Sequence, residues 1–159
     1  MAKARIIGFD KVKANLDKEI RAIKGRTLGG LIEASIIVRR SMSKSSPTVP
    51  IDLRNLDHSW FVVTSRGIAD GGPVSFEGKN AGQMQTDHNS VITEQKGVVS
   101  SKKNPYLIMG FSANYASFVH EMEGVNWSKP GSGGKFFEKH LYSNTPLILK
   151  TIGEKARIK

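Results

Sequence analysis

The octapeptide SKSSPTVP, residues 43–50, is the strongest constraint on how this chain can fold. Pro47 and Pro50 push the residues before them toward extended backbone, so a helix approaching from the N-terminal side must stop there. On that side apolar residues recur at helical spacing. On the other side lies IDLRNLDHSWFVVTS, in which Trp60-Phe61-Val62-Val63-Thr64 is aromatic and β-branched and reads as a strand. The period changes from 3.6 to 2 across one proline-bounded loop, so helices must pack on a sheet.

The N-terminal pattern resolves into two helices. Val12, Leu16, Ile20 and Ile23 form one apolar stripe among charged residues, with Asp10 as a possible cap and Gly25 as the stop. A second helix is predicted from an N-cap at Thr27 to about Met42. Leu28, Leu31, Ile32, Ser35 and Ile36 face inward, and Ile37 and Val38 widen that face. Gly29 and Gly30 weaken its first turn by about 1 kcal/mol each relative to alanine.

Beyond the Trp60 strand, residues 66–104 are polar and contain glycine. They are expected to form an extended hairpin or mobile arm, with SVITEQKGVVSS as a strand or hairpin. PYLIMGFSA reads as a strand, Tyr115 to Met122 as a short helix, and VNWSKPGSGG as loop. From Lys135 helical spacing returns through Phe136, Phe137, Leu141, Ile148, Leu149 and Ile152, divided or kinked at Pro146. The expected fold class is α+β: N-terminal helices and a C-terminal helix on an antiparallel sheet, with a long polar excursion, in a single domain spanning 1–159.

There is no cysteine, which excludes disulfides and thiolate metal ligands. No apolar run approaches the ~20 residues of a membrane span, and MAKARIIGFDK lacks the apolar core of a signal peptide. A soluble protein made in the cytoplasm is expected. The net charge of +10 is uneven: residues 1–45 hold 11 Lys/Arg against 4 Asp/Glu, and residues 129–159 hold 7 against 2. Basic ends suit a nucleic acid or an acidic protein partner, or form a solvated surface.

His120-Glu121 raises the question of a zinc hydrolase. A helical HExxH motif needs its second histidine at position 124, which is Gly124. His58, His88 and His140 stand at no ligand spacing, so His120 reads as a hydrogen-bonding group near a helix end. Asp57-His58-Ser59 contains triad residue types without a nucleophile elbow, and Ser59 is expected to end a turn or start the strand. KPGSGGK, residues 129–135, departs from the phosphate-loop pattern because Phe136 stands where Ser or Thr is required. Trp60, Phe61, Tyr106, Phe111, Tyr115, Phe118, Phe136 and Phe137 are expected in the core. No catalytic residue, metal or cofactor is assigned.

Three blocks resemble a phage family, the small neck or tail-completion proteins of the head–tail junction, also described as tail-component or minor capsid proteins. PIDLRNLDHSW is similar to the family's P-V-D-T-G-x-L-x-x-S-W at Pro50, Asp52, Leu56, Ser59 and Trp60, with Leu53-Arg54 in place of Thr-Gly. NYASFVHEMEG is similar to Y-A-x-x-V-H-E at Tyr115, Ala116, Val119, His120 and Glu121. KPGSGGKFFEKHL is similar to P-G-x-x-x-K-F-[FL]-E-x-x-L at Pro130, Gly131, Lys135, Phe136, Phe137, Glu138 and Leu141. The resemblance implies a non-enzymatic α+β virion protein forming a homo-oligomeric ring. That ring would join portal-side connector and tail proteins, with double-stranded DNA in its lumen and no membrane contact. The competing readings are a basic nucleic-acid-binding module and a small hydrolase using His120 and Glu121.

Overall fold

The computed structural model describes residues 9–157. The elements run α1 (Phe9–Lys44), α2 (Asn55–His58), β1 (Trp60–Thr64), β2 (Gly67–Asp70), α3 (Ala81–Ser100), β3 (Leu107–Phe111), α4 (Ala116–Glu121), α5 (Phe136–Ser143) and α6 (Thr145–Ala156). The fold is α+β. Residues 1–8, on which the reading of the N-terminal segment rests, lie outside the described residues.

Two of the expected elements are different. The N-terminal pair of helices is one helix of 36 residues, continuous through Gly25, Thr27, Gly29 and Gly30. Asp10 lies in its first turn, and Thr27 is mid-helix with its hydroxyl donating to the Ile23 carbonyl at 2.9 Å. Tertiary packing overrides the glycine penalty. A Cβ at Gly30 would lie 2.9 Å from Ile152 Cα, so this glycine lets α1 and α6 cross at backbone distance. The inward face is also shifted. Leu28, Ala34, Ser35, Val38 and Met42 are buried, whereas Ile36 is exposed.

The second correction concerns residues 66–104. After the β2 hairpin strand, the expected arm contains the 20-residue helix α3, and SVITEQKGVVSS is part of it. His88, Ile92 and Val99 form its buried face, and a polar histidine in that stripe obscures the helical period. Gln83 Nε2–H donates to Asp87 Oδ1 four residues on, at 2.7 Å, supporting the exposed side.

The sheet is antiparallel, in the order β2-β1-β3, with Trp60 opposite Phe111 and Thr64 opposite Leu107. β1 is buried along its whole length because both faces are covered. Trp60 and Val62 join Val38, Met42, Val49, Leu56, Ala116 and Phe136 on one face. Phe61 and Val63 meet Ile92 and Val99 of α3 on the other. Each large apolar side chain among them contributes about 1.5–3 kcal/mol by leaving water.

Two buried histidines join the layers. His88 Nε2–H donates to the Gly71 carbonyl at 3.2 Å, and its Nδ1 accepts from the Ser112 hydroxyl at 2.7 Å. His140 Nε2–H donates to the Pro47 carbonyl at 3.0 Å, and its Nδ1 accepts from the Ser41 hydroxyl at 2.8 Å. The second network fixes α5 against the end of α1 and the proline loop. Asn55 exchanges two hydrogen bonds with the Glu77 backbone, at 2.8 and 2.9 Å, and holds the chain between β2 and α3.

Candidate functional site

The three sequence blocks meet around one core. Leu56 and Trp60 of the first, Ala116 and Val119 of the second, and Phe136, Phe137 and Leu141 of the third pack together. Trp60 contacts Phe111 edge-on at 5.3 Å between ring centroids, and Phe111 meets Phe136 at 5.4 Å. Ser59 is fully buried and donates its hydroxyl to the Leu56 carbonyl at 2.7 Å, closing α2 where β1 begins. The Pro130-Gly131 turn docks on the proline loop through Thr48 N–H to the Gly131 carbonyl at 2.8 Å. Gly131 has φ +82°, a conformation that suits glycine.

Asp57, His58 and Ser59 do not form a triad. Asp57 pairs with Arg39 at 2.8 Å, and His58 Nδ1 donates to the Ser75 carbonyl at 3.0 Å. Each has its own partner, as Ser59 does.

His120 and Glu121 gather with two residues of the third block. His120 Nδ1–H donates to Glu121 Oε1 at 2.8 Å, and its Nε2 accepts from the Glu138 backbone N–H at 3.3 Å. The Lys135 ammonium donates to Glu121 Oε2 and lies 3.4 Å from Glu138 Oε2. Lys135 takes a left-handed backbone, φ 54°, and its N–H reaches the His120 carbonyl at 2.6 Å. The hydrogen bond from Lys135, then that from His120, holds the Glu121 carboxyl below its usual range. The Glu121 hydrogen bond likewise raises Lys135. Ligand atoms of His120, Glu121 and Glu138 do come within 4.8 Å of one another. However, the Lys135 ammonium already bridges the two carboxylates and the free imidazole lone pair accepts a backbone N–H. The arrangement is a clamp that closes the 122–135 loop.

Tyr115 and Asp52 flank an open apolar cavity of about 330 Å³, with Leu53, Leu56, Val119 and Trp127 in its wall. Partial burial, and secondarily the negative charge of Asp52, raise the Tyr115 hydroxyl above its ordinary value. Pro50 lines the same cavity. Tyr115 belongs to this surface rather than to the core, and Tyr106 and Phe118 are exposed as well.

The outer surface carries two features that the motifs do not. Residues 10–20 of α1 are exposed on every side, so the stripe expected to pack is bare: Val12 is 66 %, Leu16 58 % and Ile20 42 % exposed. In addition, Arg21, Lys24, Arg66, Lys102 and Lys103 line a single cleft. The stripe was legible as a period and the cations as a count, but neither their bareness nor their meeting is a property of local sequence. No helix among the described residues is long and apolar enough to cross a membrane.

No protein-family model, curated protein or solved structure matches this chain.

Proposed function

We propose that this chain is a structural subunit of a tailed-phage neck. It assembles into a ring at the head–tail junction, joins the portal-side connector to the tail proteins, and lets double-stranded DNA pass through the lumen without catalysing a step. The observation that supports assembly is the bare stripe of Val12, Leu16 and Ile20 on the projecting part of α1. Such a stripe marks an interaction surface, and burying each side chain is worth about 1.5–3 kcal/mol. A ring needs two dissimilar surfaces that meet head to tail. The groove holding Ile36, Ile37 and Leu147 between α1 and the start of α6 differs in shape from the stripe and is suited to be the second. The resemblance of the three sequence blocks supports the phage assignment.

Light scattering and negative-stain microscopy of the purified chain test the reading. Closed rings of uniform size, alone or with neighbouring neck proteins, are expected. A monomer under all of those conditions rejects it. A second reading, a nucleic-acid-binding module acting without assembly, is favoured by the cationic cleft. It predicts binding that weakens steeply with salt in a chain that stays monomeric.

A further inference from the structure

Five cations converge in a cleft of about 180 Å³ between α1, the β1–β2 turn and the segment leading into β3. Arg21 and Lys24 come from α1, Arg66 from the tip of the hairpin, and Lys102 and Lys103 from the loop after α3. They come from three separate parts of the chain, so their meeting is produced by the fold.

The approach is close. Arg66 reaches over Gly25, where a Cβ would lie 3.0 Å from its Nη2. Lys24 Nζ–H donates to the Lys103 carbonyl at 2.9 Å, which ties α1 to the loop. Among the described residues, the ion pairs join Arg39, Lys135, Lys150 and Lys155 to carboxylates, and none includes a cleft cation. Gathering like charges without a carboxylate is electrostatically unfavourable, and an anion entering the cleft relieves it.

We propose that this cleft binds the phosphodiester backbone of double-stranded DNA. The inference rests on the DNA partner of the reading above, but not on ring formation. The chemistry favours backbone contact over base recognition. The cations come as separate, exposed side chains that can reach successive phosphates, and no aromatic side chain lines the cleft. The nearest aromatic residue in sequence, Tyr106, is not part of the cleft lining, and the Lys102 ammonium lies over one face of its ring, 5.5 Å from the centroid, where it competes with a stacking base.

The test is fluorescence anisotropy with a labelled 30-base-pair duplex of arbitrary sequence, titrated with the full chain from 50 to 300 mM salt. The comparison sets the triple variant Arg66→Ala/Lys102→Ala/Lys103→Ala against Lys44→Ala/Lys79→Ala/Lys139→Ala, which removes the same charge elsewhere on the exposed surface. Wild type is expected to bind unrelated duplexes alike. The cleft variant is expected to bind at least tenfold more weakly, and its log–log salt slope to be shallower by about 0.9 for each phosphate it no longer neutralises. The control triple should retain most of the binding. Circular dichroism melting shows that both variants fold. Equal loss in the two triples, no wild-type binding at 50 mM salt, or tighter binding of a single strand of the same length overturns the proposal. Light scattering on the same samples separates the two claims. A chain that binds through the cleft yet stays monomeric, both alone and with neighbouring neck proteins, leaves the inference standing and removes the ring, whereas a ring that binds no duplex does the reverse.

Discussion

Gly71 lies directly against the Trp60 backbone, so close that a Cβ at residue 71 would overlap the Trp60 carbonyl oxygen and lie 2.6 Å from Phe61 Cα. The approach is fixed from both sides. Trp60 Nε1–H donates to Asp70 Oδ2 at 3.0 Å, and Gly71 N–H donates to Asp70 Oδ1 at 2.8 Å. With φ +70°, residue 71 also has a backbone that favours glycine. Gly71→Ala is expected to destabilise the protein by about 3 kcal/mol or more. Gly72→Ala, with nothing within 4 Å of the new Cβ, should stay within about 0.5 kcal/mol of wild type. Urea titration of both variants checks the contrast.

Adjacent glycines in α1 should respond with opposite signs. A Cβ at Gly30 would meet Ile152 Cα at 2.9 Å and Lys155 Cβ at 3.2 Å, so Gly30→Ala forces α1 and α6 apart and lowers the melting temperature. Gly29 has open space around it. Gly29→Ala is expected to gain up to about 1 kcal/mol of helix propensity. If both variants melt lower, close helix crossing is not the reason for these glycines.

The clamp at the end of α4 sets a pH dependence. The folded Glu121 carboxyl is lowered from 4.5. Its contribution is therefore present above pH 4.5 and lost as pH falls through the lowered folded value. Lys135 is raised from 10.5, so its contribution is present below pH 10.5 and lost as pH rises through the raised value. Stability curves of wild type and Glu121→Gln should differ at neutral pH and converge in acid. Parallel curves down to the lowest pH would show that the ionised Glu121 carboxylate adds no stability.

His140 links three segments through Ser41 and Pro47. His140→Ala removes both hydrogen bonds, leaves the Pro47 carbonyl without that donor and opens a cavity, at a cost of about 2–4 kcal/mol. Denaturant unfolding measures it. A loss below about 1 kcal/mol would mean that water or relaxation replaces the network.

Val12, Leu16 and Ile20 contribute little to the fold as it stands. Val12→Ser/Leu16→Ser/Ile20→Ser should leave the melting temperature of the monomer within a few degrees of wild type while abolishing higher oligomers in light scattering. Unchanged assembly would locate the interface elsewhere.

Much of the architecture was legible wherever one periodicity dominated. WFVVT and LIMGF are strands because aromatic and β-branched side chains fit a pleated, buried surface. The break at SKSSPTVP and the separation of α5 from α6 near Pro146 follow from the backbone limits of proline. The α3 helix was not legible because Val91, Ile92, Val98 and Val99 favour a strand locally, while its buried face includes His88. That histidine can face inward only because Gly71 and Ser112, from other parts of the chain, supply its hydrogen bonds.

The sequence alone determined the fold class, the order of most elements and the residues of the three blocks, because period, proline and glycine act over a few neighbouring residues. Tertiary structure decided the rest. It made α1 continuous by placing α6 against Gly30 and gathered the three blocks around Trp60. It also left Val12, Leu16 and Ile20 bare, and brought Arg66, Lys102 and Lys103 to Arg21 and Lys24. Each outcome depends on which distant surface arrives opposite a residue, and burial, close approach and electrostatic field are properties of that pairing.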